Sequence, residues 1–153
     1  MNAEKKLAEL GLTLPEAPNP IASFVTCKRQ GNLLYLSGSG PLVEGKLLYK
    51  GKVGGEVTPE QANEAARAAM LNHLATMKKE LGDLDKVKQI VKLLGFVACA
   101  DGFYAQPKVI NGASDLLIEV FGEKGRHARS AIGVYSLPSN MPVEIEMIVE
   151  VED

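Results

Sequence analysis

The chain has no tryptophan, two cysteines and two histidines, and each shortage removes a class of function. Cys27 and Cys99 stand far apart without C-x-x-C spacing, and His73 has no second histidine or acid at ligand spacing around it, so no metal site and no cofactor is expected. Both cysteines sit in apolar, strand-like runs, where a free thiol behaves as a small hydrophobe. No run of about 18 apolar residues exists, so no membrane partner is expected. The start, MNAEKKLAELGLTLP, lacks the apolar core of a secretory signal. A soluble, cytoplasmic protein is the expectation. Basic clusters are missing too. With 17 Lys and Arg against 19 Asp and Glu, the net charge of −2 argues against a nucleic-acid partner, because phosphate affinity needs a concentrated basic face.

A length of 153 residues is one domain's worth of chain, enough to bury roughly 70% of the unfolded surface. Residues 1–19 read as an N-terminal extension: a short helix with Leu7 and Leu10 on one face, stopped by Gly11, then a proline-restricted linker. Residues 20–153 form the domain proper. A hairpin is predicted from a strand near Ser23–Arg29, a turn at Gln30-Gly31-Asn32 and a strand Leu33–Ser37, which runs into the glycine-rich SGSGP. Thr58, Pro59 and Gln61 form an N-cap, a first-turn proline and a capping box, opening a helix that Gly82 stops. Its alanine-rich first half implies close packing, onto a sheet. A β-like run, VKQIVKLLGFVACA, and a second helix in QPKVINGASDLLIEVFG follow. Strands near Ser130–Ser136 and Val143–Val151 close the chain.

The order ββ(β)αβαββ makes an α+β layer, with two helices packed on one face of a sheet. The other face must then be polar or covered. In the last strand Val143, Ile145, Met147, Val149 and Val151 point one way, while Glu144, Glu146, Ile148, Glu150 and Glu152 point the other. Acids aligned on one face repel, so a cation is expected nearby. Arg129, at the mouth of the preceding strand, is either an ion-pair partner for one of those glutamates or a carboxylate-binding group. Serine before glycine at Ser37 and Gly38 is also an ordinary way to end a strand. Asn111 can bond within its own helix. His127 lies two residues before Arg129, so strand alternation would put both on one side and let it contribute beside the arginine. The commoner reading of a histidine in a glycine-rich loop is simple exposure, and His73 is expected to be packed in its helix.

Three segments resemble the reactive-intermediate deaminase family (Rid, or YjgF-like, historically also endoribonuclease L-PSP). They are PIASFVTCKRQGNLLYLSGSGP, the asparagine of PKVINGASDLL, and ARSAIGVYSLPSNMPVEIEMIVEV, the most specific of the three. The likeness covers about Pro20 to Val151, and the longer start marks a side branch. It implies a chorismate-mutase-like sheet, a homotrimer whose sheets form an inner barrel, and clefts between subunits. It further implies hydrolysis of 2-enamines and 2-imines to 2-keto acids and ammonia, acting on a small-molecule carboxylate. By the resemblance Arg129 clamps the substrate carboxylate and Glu144 places or activates water. Ser37, Gly38, Asn111 and the residue at Phe24 line the substrate. Two positions depart from the family: Phe24 replaces a tyrosine, losing a phenol hydrogen bond, and Ala131 replaces a cysteine. These departures favour, as the alternative, a trimeric protein that binds 2-keto acids without catalysis. The ribonuclease activity historically attached to the family is disfavoured by the acidic charge balance and by the lack of a histidine pair for general acid–base cleavage.

Overall fold

The computed structural model describes residues 2–153. In chain order the elements are α1 (Ala3–Glu9), β1 (Cys27–Gln30), β2 (Leu33–Ser39), a short arm of β3 (Leu42–Val43) and β4 (Lys46–Leu47), α2 (Pro59–Leu81), β5 (Val87–Ala98), α3 (Gln106–Phe121), β6 (Ala128–Val134) and β7 (Val143–Val151). Five strands form one sheet in the order β1-β2-β7-β5-β6; every pair is antiparallel except β5 with β6. The parallel pair follows from the connection: α3 carries the chain back across the sheet between β5 and β6, as a crossover requires.

The caps read from the sequence are in place. Thr58 Oγ1 accepts from Gln61 N at 3.1 Å, and Gln61 Oε1 accepts from Thr58 N at 3.0 Å. Ala62, Ala65, Ala66 and Ala69 are fully buried. Their small size serves helix–helix approach as well as sheet packing: a Cβ on Gly112 of α3 would overlap the Asn63 carbonyl of α2. Further along α2, His73 reaches the sheet at the Ile145 carbonyl. Three helices, rather than two, pack above the sheet. Ala3 and Leu7 of α1 are buried, Lys78 pairs with Glu4 at 2.8 Å, and α1 lies against α3. The first strand is shorter than predicted and starts at Cys27. A bulge in β2 between Leu36 and Ser39 breaks the register there.

The alternation expected of β7 holds. Val143, Ile145, Met147, Val149 and Val151 are buried under the helices, and Glu144 and Glu146 face the other way. That second face has no helix over it. It carries Tyr35 and Ile132, each exposed by more than two-fifths, beside Lys92 and Glu146. Among the described residues no helix is long and apolar enough to cross a membrane.

Candidate functional site

Arg129 stands on β6 opposite Leu93 of β5, and Leu93 is opposite Met147 of β7. Leu93 and Met147 are buried beneath the helices, so Arg129 shares the helix-covered face. The guanidinium therefore meets α3. Nη1 donates to Asn111 Oδ1 at 2.8 Å and to Ser114 Oγ at 3.2 Å. Asn111 and Ser114 are three apart, which puts both on one side of the helix. Both acceptors are neutral, and among the described residues Arg129 makes no ion pair. A guanidinium has five N–H donors. Nη1 spends its two on the protein, which leaves the Nε and Nη2 edge, the side that takes a carboxylate with two parallel bonds. Beside the arginine is a hollow of about 210 Å³ lined by Asn111, Ser114, Asp115, Ile118, Arg126, His127 and Arg129.

His127 is not exposed in its loop but takes the other place open to it, on the side of Arg129. Its ring is half-buried, with Nδ1 2.6 Å from the Gly125 carbonyl and Nε2 2.9 Å from Ser114 Oγ. Burial, with some help from the charge on Arg129, holds its pKa below the usual 6.5 against the opposing Gly125 bond. The i, i+2 spacing from Arg129 gives the side, and helix α3 with the turn after it supplies the partners that hold the ring there.

Glu144 lies elsewhere. It pairs in register with Phe96, one residue along from buried Val143 and Ile145, and so belongs to the face without helices. Gly38, on the neighbouring β2, lies directly over it: a Cβ there would overlap the Glu144 carboxylate. The absence of a Cβ leaves the space that the carboxylate occupies. The β2 bulge turns this backbone, and Ser37 is tied down by its Oγ, which donates to the Val25 carbonyl at 2.6 Å. Beside them is a second hollow of about 190 Å³, with Ser37, Gly38 and Phe24 in its lining together with apolar Ile21, Leu42, Leu47 and Met141. Phe24 is half-exposed at its edge. Burial first, and then the charge of Glu146, raises the pKa of Glu144 above the usual 4.5. The arginine expected beside it is not there: within one chain Arg129 is two strands away and on the opposite face.

The structure therefore groups the sequence candidates into two halves, Asn111 with Arg129, and Phe24, Ser37, Gly38 with Glu144. Sequence reading missed Ser114. The signal was its place three residues after Asn111, on the helix side that faces Arg129. His73 is packed as expected; Nε2 donates to the Ile145 carbonyl at 2.5 Å, and full burial lowers its pKa to about 4. Burial pushes the Cys27 thiol up to about 11, so it stays protonated at neutral pH. Among the described residues no group of three or more His, Cys, Asp or Glu side chains is arranged to hold a metal.

Comparison with known proteins points to the same place as the C-terminal signature. The family model described as "YjgF/chorismate mutase-like, putative endoribonuclease" matches residues 4–151. Protein TCP17 of Trypanosoma cruzi is 41% identical over 148 residues, covering 96% of this chain and 92% of that protein. The 2-iminobutanoate/2-iminopropanoate deaminase of Dermatophagoides farinae is 30% identical over 142 residues, covering 92% and 95%. The crystal structure of Atu1372 from Agrobacterium tumefaciens, a protein of unknown function, matches with a TM-score of 0.92 at 48% identity, covering 98% of this chain and 92% of that one. With the sheet order, the arginine on its edge strand and the glycine-backed glutamate all in a match of nearly full length, the chain belongs to the YjgF/chorismate mutase-like family.

Proposed function

We propose that the protein is a 2-enamine/2-imine deaminase. It adds water across the C=N bond of a 2-imino acid and releases the 2-keto acid and ammonia. The observation that carries this reading is the state of Arg129: full charge, Nη1 fixed by two neutral oxygens, and the two-pronged edge left for an incoming carboxylate. Glu144 is the acceptor that orients and deprotonates the water. Its raised pKa suits a base that must hand the proton on to departing ammonia. The 30% identity to an imine deaminase supports the same chemistry.

Because the two halves lie on opposite faces of one sheet, the working site is composite: Arg129 and Asn111 from one copy, Glu144, Gly38, Ser37 and Phe24 from the next. A cyclic homotrimer answers this need, and it also covers the sheet face that carries Tyr35 and Ile132. Phe24 supplies shape without a hydrogen-bonding group, which favours substrates recognised by carboxylate and apolar side chain.

The test is release of ammonia and keto acid from 2-iminopropionate, generated in place by an amino-acid oxidase. Arg129→Ala is expected to lower kcat/KM by roughly 10²-fold or more, the effect of removing one member of a desolvated charge pair. Equal rates for the two proteins overturn the assignment. Calorimetric binding of 2-oxobutyrate without turnover selects the non-catalytic binding protein instead.

A further inference from the structure

Ser114 and His127 have no role in the chemistry above, yet they are built into its arginine half. Ser114 lies in the middle of α3 with 6% of its surface exposed. Its oxygen is 3.2 Å from Arg129 Nη1 and 2.9 Å from His127 Nε2, and His127 Nδ1 is 2.6 Å from the Gly125 carbonyl. Chemistry fixes every direction in this chain. A carbonyl only accepts, so Nδ1 carries a hydrogen. A guanidinium only donates, so the Ser114 oxygen accepts from Nη1. Neutral His127 then offers Nε2 as an acceptor, and the hydroxyl hydrogen of Ser114 goes there. The turn that supplies the anchoring carbonyl is itself pressed on the helix, since a Cβ on Gly125 would overlap the Leu117 carbonyl.

We propose that Ser114 and His127 are positioning residues of the carboxylate clamp, a relay from the Gly125 carbonyl through the imidazole and the hydroxyl that locks the Arg129 guanidinium with its Nε and Nη2 edge toward the ligand. The inference rests on the reading of Arg129 as that clamp. Each link strengthens the next: a hydroxyl that donates to an imidazole is a better acceptor for the guanidinium. Preorganisation is the gain. A free arginine must give up rotamer freedom when it binds, and a fixed one has already done so. The burial that keeps His127 neutral keeps Nε2 available as the acceptor the relay needs. The remaining charged groups at the hollow, Asp115 and the Arg126–Glu123 pair, make no bond to the ring.

The experiment is calorimetric titration of the full chain with 2-oxobutyrate, which needs no turnover. Ser114→Ala and His127→Leu are each expected to raise Kd roughly tenfold, the usual effect of losing a hydrogen bond to a charged group's support. His127→Gln, whose side-chain oxygen still accepts from Ser114, stays within about threefold of wild type. The discriminating measurement is the same pair of losses in an Arg129→Lys background, where no fork remains to be oriented. There His127→Leu and Ser114→Ala are expected to leave Kd unchanged. Equal losses in both backgrounds mean a merely structural role and overturn the proposal, as does a wild-type Kd in both single variants. Wild-type protein that fails to bind the keto acid overturns the clamp reading and this inference with it. Ser114→Ala removes one oxygen atom from a helix, so the test stands if His127→Leu does not fold.

Discussion

Each half-site contains one histidine, and the two are wired in opposite directions. His73 is fully buried below β7 and donates to the carbonyl of Ile145, the residue after Glu144, so it holds backbone. His127 accepts from Ser114 and through it steadies the Arg129 side chain. The acid half is shaped by main chain, with a bulge and a glycine whose missing Cβ leaves space for the Glu144 carboxylate, and by apolar walls. The arginine half is shaped by side-chain hydrogen bonds. The difference teaches how a carboxylate and a guanidinium are prepared for use. Burial shifts the carboxylate, whereas the guanidinium is held by fixed neutral partners.

The sharpest way to break this comparison is to disable the halves separately and then mix them. Glu144→Gln is expected to lower kcat by roughly 10²-fold or more, the usual worth of a general base, and to abolish the acid limb of the pH–rate profile. That limb is set by a carboxylate held above 4.5, with activity rising as Glu144 deprotonates. Arg129→Ala and Glu144→Gln, each nearly inactive alone, regain activity when co-refolded. In a random cyclic oligomer about one site in four pairs an intact Arg129 with an intact Glu144. No recovery on mixing means the halves are not completed by a second copy.

Next in size is the buried histidine. The folded pKa of His73, about 4, lies below the ordinary 6.5, so the unfolded chain takes up its proton first. The stabilisation is complete above pH 6.5 and is lost as pH falls toward 4, by about 3 kcal/mol. Denaturant unfolding at pH 7 and pH 4.5 measures it, and His73→Gln flattens the dependence. The smallest effect is expected at the backbone contact. Gly38→Ala displaces the Glu144 carboxylate and lowers kcat roughly tenfold, the scale of misplacing one catalytic group, while binding of 2-oxobutyrate through Arg129 changes little.

Much of the fold is legible in the chain. Thr58-Pro59-x-Gln61 names the start of α2 because the cap satisfies orphan backbone donors, and the strict alternation of residues 143–151 assigns the two faces of β7. Arg129 stands out at a strand mouth beside acids, but its role and those of Glu144, Ser37 and Gly38 come from the resemblance, which gives no contact within the chain. The packing of the third helix, the late start of β1 and the bond between His127 and Ser114 were beyond local patterns. Each depends on what another segment offers: α3 for α1, the β2 bulge for β1, and Ser114 for the imidazole.

By itself the sequence determined the elements, their caps, the apolar stripe that meets the helices and the charge types available for chemistry, because periodicity and capping act over a few residues. Only the tertiary structure decided that Arg129 and Glu144 lie on opposite faces of one sheet, that Ser114 and His127 stand behind the arginine, and that Gly38 makes room for the acid. Strand order and register fix those relations, and they arise from pairing between segments that are remote in the chain.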